Sequence, residues 1–440
     1  YKIRNSKIKN EDLKKIIAAF QLNIKQNICE PRFDGYFSRY IERNGIEKLA
    51  SVFHRFKPLW IAFKPHSDYL RQTVNKMRKL ADRCHKPVAP KFLERLTSAR
   101  EIDIGRLERE LSKITTYRKI SLANAILYRR ANPDSIFYSL RNNKIFVDDY
   151  SGSLKFDAQE ILAVIVSSII KDVSANVQGK KIYIPERFTY AAPVSEKKFV
   201  GNIPFGSSYD FSCNSVVVGV HWFNVLDELG NELRVDLDLH LNSKNVNVGW
   251  NNDFRYENVI NTRNCKIIFS GDMTDAPIDE GGATEAYFVG EALTGGMLMV
   301  NLNNFNGVRN VPFKLVLADV TQESIDRQYL LDAHEIAFCV PNEIVGGEML
   351  IGFLRSGDTG EKTFYFYSRN KSRRIVATTD DVTIKFNAAM LTAVENSLTL
   401  NDILKKSGAI LDNVTAENCD INLDPAEVTK DVLIGLLAKK

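Results

Sequence analysis

The sequence predicts a multi-domain α+β protein: a helical N-terminal region, an α/β connector, a β-sandwich and a small helical C-terminal appendage. Three observations predict it. Residues 1–130 carry 30 Lys and Arg against 13 Asp and Glu, a net of +17, whereas the remainder carries 29 against 41, a net of −12. Such a split implies units with different surfaces. Apolar residues recur at helical spacing up to residue 130, then at strand spacing from Asn214 onward. Pro133-Asp134 stands where the pattern changes. These set boundaries at 1–130, 131–213, 214–390 and 391–440.

Within 1–130, Asn10 precedes Glu11 and Asp12, and Leu13, Ile16, Ile17 and Phe20 follow on one helical face. Ser67-Asp68 opens a second stretch, with Leu70, Val74, Met77 and Leu80 aligned. Leu107, Leu111 and Ile114 repeat the spacing, and prolines 58, 65, 87 and 90 cut the region into short units. In the connector, SIFYSLRNNKIFVDDY reads as a hairpin turning at Asn142-Asn143. Asp157 and Glu160 then make a capping-box-like start for a helix from Ala158 to Val173, apolar nearly all round and therefore buried. KKIYIPERF follows as a strand.

From Asn214 six segments read as strands: SVVVGVHWF, ELRVDLDLHL, CKIIF, EAYFV, GMLMVNLNNF and VPFKLVLADV. Short strands separated by turn residues are the pattern of a sandwich. HEIAFCVP, KTFYFYS and RRIVATT extend it, while MLIGFLR is harder to assign. At the end, Asn401 is expected to cap a helix beginning Asp402-Ile403-Leu404, and Thr429 a terminal helix whose Val432, Leu433, Leu436 and Leu437 dock on the body or bind a partner.

The chemistry concentrates between Arg234 and Glu291. Val235, Leu237, Leu239 and Leu241 alternate with Asp236, Asp238, His240 and Asn242. Asp is depleted in strands because its side chain competes for backbone hydrogen bonds, so two on one face ask for a reason. At about 3.3–3.4 Å per residue the pair sits about 7 Å apart along the strand. Downstream, SGDMTDAPIDEGGATE brings Asp272, Asp275, Asp279, Glu280 and Glu285 into a long turn with glycines at 271, 281 and 282. Oxygen ligands converging from a strand and a glycine-rich loop suit a hard cation. The candidate ligands are Asp236, Asp238, Asp272, Asp275 and Glu285. The bland alternative has Asp236 and Asp238 facing solvent and the remaining acids as ordinary turn residues.

RVDLDL followed by SGDMT, with HWFN before and GATEAY after, resembles the signature of TerD-like domains, the tellurium-resistance and stress-response family. It is similar above all to larger bacterial proteins of unknown function that carry a divergent TerD-like domain behind a helical region. The resemblance covers residues 215–320 and implies a β-sandwich with calcium sites at the Asp-rich strand and the SGD loop. Where that family closes the loop with consecutive acids, Ala283-Thr284 precede the single Glu285 here. Fewer carboxylates imply a weak or vestigial site.

Walker, Rossmann and GxSxG motifs are missing. His334-Glu335 starts like a zincin helix, but Phe338 replaces the second ligand. His221 reads as a satisfied strand histidine and Cys265 as a buried small hydrophobe. Cys84-His85 falls short of the four ligands zinc needs. Scattered cysteines without a CxxC pair point to reduced thiols in a cytoplasm. No apolar run approaches the length of a membrane span. A first residue other than Met is read as a fragment or processed form, which leaves a leader open. The expected function is non-enzymatic: a calcium-binding scaffold or interaction protein with protein partners in a stress-response or defence system. Two alternatives stand beside it. One is a nucleic-acid-binding protein using the basic residues of 1–130; the other is a structural component of a larger assembly, such as a phage particle.

Overall fold

The computed structural model describes residues 32–54, 57–65, 67–84, 92–139, 145–149, 152–243, 247–249, 255–260, 263–290, 296–320, 334, 336–370 and 381–439. The helix expected after Asn10, the Asn142-Asn143 turn, RRIVATT, Glu335 and His85 lie outside them. The chain is mixed α+β and forms two compact units, 1–91 and 92–440.

The first unit holds helices α1 (Arg32–Asn44), α2 (Ile46–Ser51), α3 (Lys57–Phe63) and α4 (Asp68–Cys84). Pro58 sits in the first turn of α3, where a missing N–H costs nothing. Ser67 opens α4 by accepting from the Leu70 amide at 3.1 Å, and its hydroxyl donates to Asp34 at 2.6 Å. Leu70, Val74 and Met77, at the predicted spacing, are buried with Phe37, Trp60 and Phe63. Phe37 meets Phe63 edge-on at 5.1 Å.

The second unit begins at Phe92, well before the charge break at 130, and packing explains why. Helices α5 (Ile104–Leu111) and α6 (Thr116–Ala131) share a core with α7 (Ala158–Val177), which carries Ile161, Ile165, Ile169 and Val173. Lys119 of α6 is 1% exposed and pairs with Asp172 of α7 at 2.5 Å, so the two helices are tied by charge as well as by apolar contact. Asp157 caps α7 through the amides of Gln159 and Glu160, and the helix runs one turn beyond Val173. The connector hairpin forms with Ser135–Ser139 antiparallel to Ile145–Asp149.

Two antiparallel sheets feed the same core. The strands that form them are β1 (Phe188–Thr189), β2 (Ser208–Asp210), β3 (Val216–Trp222), β4 (Leu237–Asn242), β5 (Asn247–Val248), β6 (Arg255–Ile260), β7 (Arg263–Phe269), β8 (Ala283–Val289), β9 (Met297–Asn304), β10 (Val311–Asp319), β11 (Ile336–Ile344), β12 (Glu348–Ser356) and β13 (Lys362–Asn370). The seven-stranded sheet has the order β5-β4-β9-β12-β13-β2-β1 and the six-stranded sheet β6-β7-β8-β3-β10-β11. The ambiguous MLIGFLR is the central strand β12, its side chains buried nearly throughout. ELRVDLDLHL breaks in two: Glu232–Leu233 pairs with Val225–Leu226, and β4 starts only at Leu237.

The C-terminal segments are built into this unit. Helix α8 (Asp381–Glu395) spans the expected boundary at 390. Thr399, not Asn401, caps α9 (Leu400–Lys406) by accepting from the Asp402 amide. Asn401 instead accepts from the Tyr190 amide and donates to the Phe188 carbonyl, pinning α9 to the chain beside β1. KKIYIPERF is strand only at Ile182–Tyr183, parallel to Ile421–Asn422, and at Phe188, where β1 begins. Leu433, Leu436 and Leu437 of α10 (Lys430–Leu437) are buried in the common core, and Asn176 of α7 donates to the Leu436 and Ala438 carbonyls.

Candidate metal centre

The site forms where the N-terminal end of β4 meets the loop between β7 and β8. Val235, Leu237, Leu239 and Leu241 take the core face, as their alternation predicts. The opposite face is buried too: Asp236 and Asp238 are each 4% exposed, and His240 and Asn242 are enclosed with them. The solvated-face alternative therefore fails. One carboxylate oxygen each from Asp236, Asp238 and Asp272 lie within 4.8 Å of one another. Side chains two residues apart on one segment thus close together over Asp272, which approaches from the loop. Gly271, Gly281 and Gly282 have φ of 123°, 88° and 80°, the conformations the loop needs to return. At Gly282 a Cβ would lie 2.3 Å from the Trp222 carbonyl.

Glu285 and Tyr287 of β8 hold this corner. β5 pairs with β4 only at Leu241 and Asn242, so the edge before them has backbone groups to satisfy. The Leu239 amide donates to Glu285 Oε2 at 2.6 Å and the Met273 amide to Oε1 at 3.0 Å. Tyr287 Oη shares its one proton between the Leu239 and Val248 carbonyls, 2.8 and 2.6 Å away. Glu285 is fully buried and outside the three-carboxylate group; it positions the neighbours of Asp238 and Asp272. Asp275 also stands outside that group, bound to Asn224 Nδ2 at 2.8 Å and to the Ala276 amide.

The electrostatics are unfavourable without a cation. Burial raises the Asp236 carboxyl above the usual range; Arg234 pulls it down and Asp272 pushes it up. Burial pushes Asp238 up to about 6, opposed by its bond from Asn303 and reinforced by Asp236 and Asp272. Burial pushes Glu285 up to about 9, against the two amides that favour its ionised form. Arg234 Nη2 reaches Asp236 Oδ2 at 3.1 Å, and Asn303 Nδ2 donates to Asp238 Oδ2 at 2.8 Å. Asp236 Oδ1 is buried with no hydrogen-bond partner. A buried acceptor left unpaired costs about 1–3 kcal/mol, so this oxygen has a lone pair to offer a ligand.

Two oxygens each about 2.3–2.6 Å from one calcium ion lie at most about 5.2 Å apart, and the cluster fits within that span. An all-carboxylate set favours hard cations and does not by itself separate calcium from magnesium or manganese. Arg234, Asn303 and Asn224 are the supporting residues that sequence reasoning did not identify. Asn303 is the cross-strand partner of Asp238 in β9, a relation visible only once the register is known.

Elsewhere, His221 Nδ1 lies 2.9 Å from Thr284 Oγ1 on the neighbouring strand. Cys213, Cys339 and Cys419 carry free thiols. No helix among the described residues is long and apolar enough to cross a membrane. Of the basic residues in 1–130, Lys119 and Arg129 are buried and engaged by Asp172 and the Ser135 carbonyl. The chain matches no protein-family model, no curated protein and no solved structure.

Proposed function

We propose that the protein is a non-enzymatic, calcium-responsive binding module whose sensing site is Asp236, Asp238 and Asp272, carried on a TerD-like sandwich. The observation that carries this is the buried, unpartnered Oδ1 of Asp236 beside two further carboxylates within 4.8 Å. The RVDLDL and SGDMT motifs that resemble the tellurium-resistance family supply the cation's identity and the link to stress response. A calcium ion at this point neutralises the repulsion and bonds the exposed Asp272 of the loop to the buried strand end. Glu285, joined to Leu239 and Met273, carries that ordering into both sheets.

A thermal melt of wild type and of Asp236→Asn with Asp238→Asn, each with calcium and with chelator, tests the reading. Calcium at a hundred times its dissociation constant is expected to raise the wild-type unfolding free energy by about 2.7 kcal/mol. The double variant is expected to fold and to lose that gain. Superimposable wild-type melts in the two conditions would overturn the proposal.

A further inference from the structure

The seven-stranded sheet carries a second apolar cluster, in which Met299, Leu350 and Phe353 pack with Tyr367 of β13 and Met390 of α8. Beside this cluster lies a cavity of about 400 Å³, lined by α6, the end of α8 and residues 191–206. Small-molecule sites are usually about 300–1,000 Å³. The apolar wall is Phe205, Tyr367, Met390 and Val394, with the Phe205 and Tyr367 rings 5.0 Å apart. Hydrogen bonds fix the frame. The Ala191 amide donates to Ser207 Oγ, the Ala192 amide to the Leu398 carbonyl, and the Phe205 amide to the Lys198 carbonyl. Ser121 and Ala125 of α6 line the cavity and are exposed, which gives a ligand access.

The polar groups of this cavity are one-sided. Lys198 is the one charged side chain among the described residues that line it. It is half-buried, and burial holds its ammonium below the usual lysine range. An ammonium offers three donors and no acceptor. Asn124 adds to the donors. Its Oδ1 accepts from the Leu398 amide at 2.9 Å, and its Nδ2 has no hydrogen-bond partner among the described residues. An ionised carboxylate is the converse, an acceptor with no proton to give. One lysine also matches one negative charge, whereas a phosphate monoester carries about −1.5 to −2 at neutral pH.

We infer that this cavity binds a small amphipathic monocarboxylate, its carboxylate on Lys198 and Asn124 and its apolar body against Phe205, Tyr367, Met390 and Val394. A few placed polar groups in a mostly apolar wall are what orients such a ligand. The cavity shares no residue with the carboxylate cluster of β4 and its loop, so binding there needs no calcium.

The test is isothermal titration calorimetry of the full chain, in chelator, with three probes of equal length: octanoate, 1-octanol and octylammonium. Octanoate is expected to saturate one site per chain, and 1-octanol to bind at least about tenfold more weakly for want of a charge-assisted hydrogen bond. Octylammonium is expected not to bind measurably. Lys198→Met is expected to keep 1-octanol binding and to hold octanoate no more tightly than 1-octanol. Ala393→Phe, which fills the cavity from α8, is expected to keep the wild-type circular dichroism and to lose both ligands. Failure of wild type to saturate with octanoate, or octanoate binding no tighter than 1-octanol or octylammonium, would overturn the inference. So would octanoate binding left unchanged by Lys198→Met or by Ala393→Phe. If a variant unfolds, the wild-type ranking of the three probes decides.

Discussion

Replacing Asp238 by Asn is expected to stabilise the calcium-free protein at neutral pH, an unusual direction for a buried polar residue. Asp238 is 4% exposed, and burial lifts its carboxyl from 3.8 to about 6, with Asp236 and Asp272 adding to the rise and Asn303 opposing it. The folded chain therefore holds this proton more tightly than the unfolded chain. Its contribution to stability is fully present below about pH 4 and is lost as pH rises through about 6. A shift of this size is worth up to about 3 kcal/mol at pH 7. Asparagine is neutral at every pH, and its amide oxygen can still accept from Asn303. Urea denaturation in chelator, from pH 4 to pH 8, reads the difference. The two proteins are expected to be closely matched near pH 4. The variant should then gain steadily to a plateau above pH 6, with unchanged dependence on urea. A gap that does not grow between pH 4 and 7, or a variant less stable at neutral pH, would refute the argument. In that case the carboxylate would be compensated within the protein, and a cation would have nothing to relieve.

Two further substitutions test the frame around the site. Glu285→Gln keeps the shape but turns an amide N–H₂ toward either the Leu239 or the Met273 N–H; a loss of about 1–3 kcal/mol in chelator and a smaller calcium-dependent gain are expected. A denaturation midpoint equal to wild type would show that Glu285 does not hold the corner. Lys119→Met leaves Asp172 buried and uncompensated and is expected to cost about 3–5 kcal/mol, most of it recovered on adding Asp172→Leu. A double variant as unstable as the single one would show that the cost does not come from an unpaired Asp172.

How far the sequence could be read depended on whether a feature was periodic or relational. Alternation at Val235 to Leu241 and helical spacing at Leu70 to Met77 are written along the chain, and those core faces are the ones observed. The division near residue 130 rested on surface charge, apolar spacing and Pro133, yet packing is decided by which buried side chains meet: Leu107, Leu111 and Ile120 complete the core of α7 whatever their neighbours' charge. Asn401 looked like a helix cap by residue type, but Thr399 stands two residues earlier and takes the role, freeing Asn401 to bond the chain beside β1. In the site, Asp236, Asp238 and Asp272 could be named from composition and loop glycines. Their partners Asn303 and Arg234 could not, because strand register and side-chain reach are properties of the assembled sheets.

On the proposed reading, the position of the cluster is what couples a bound cation to the two segments around it. Asp238 lies at the buried start of β4 with Asp236 just before it, Asp272 lies on an exposed loop, and Glu285 bonds one amide in each segment. With no cation, three carboxylates oppose the closeness that Glu285 enforces, and Arg234, half exposed, offsets only one of them. With a cation, the same closeness becomes coordination. The free energy stored in the first state is what drives binding in the second, so stability given up in the empty protein and affinity for the ion are two readings of one quantity. Both should therefore fall together in Asp238→Asn, where the repulsion and the ligand are removed by a single change.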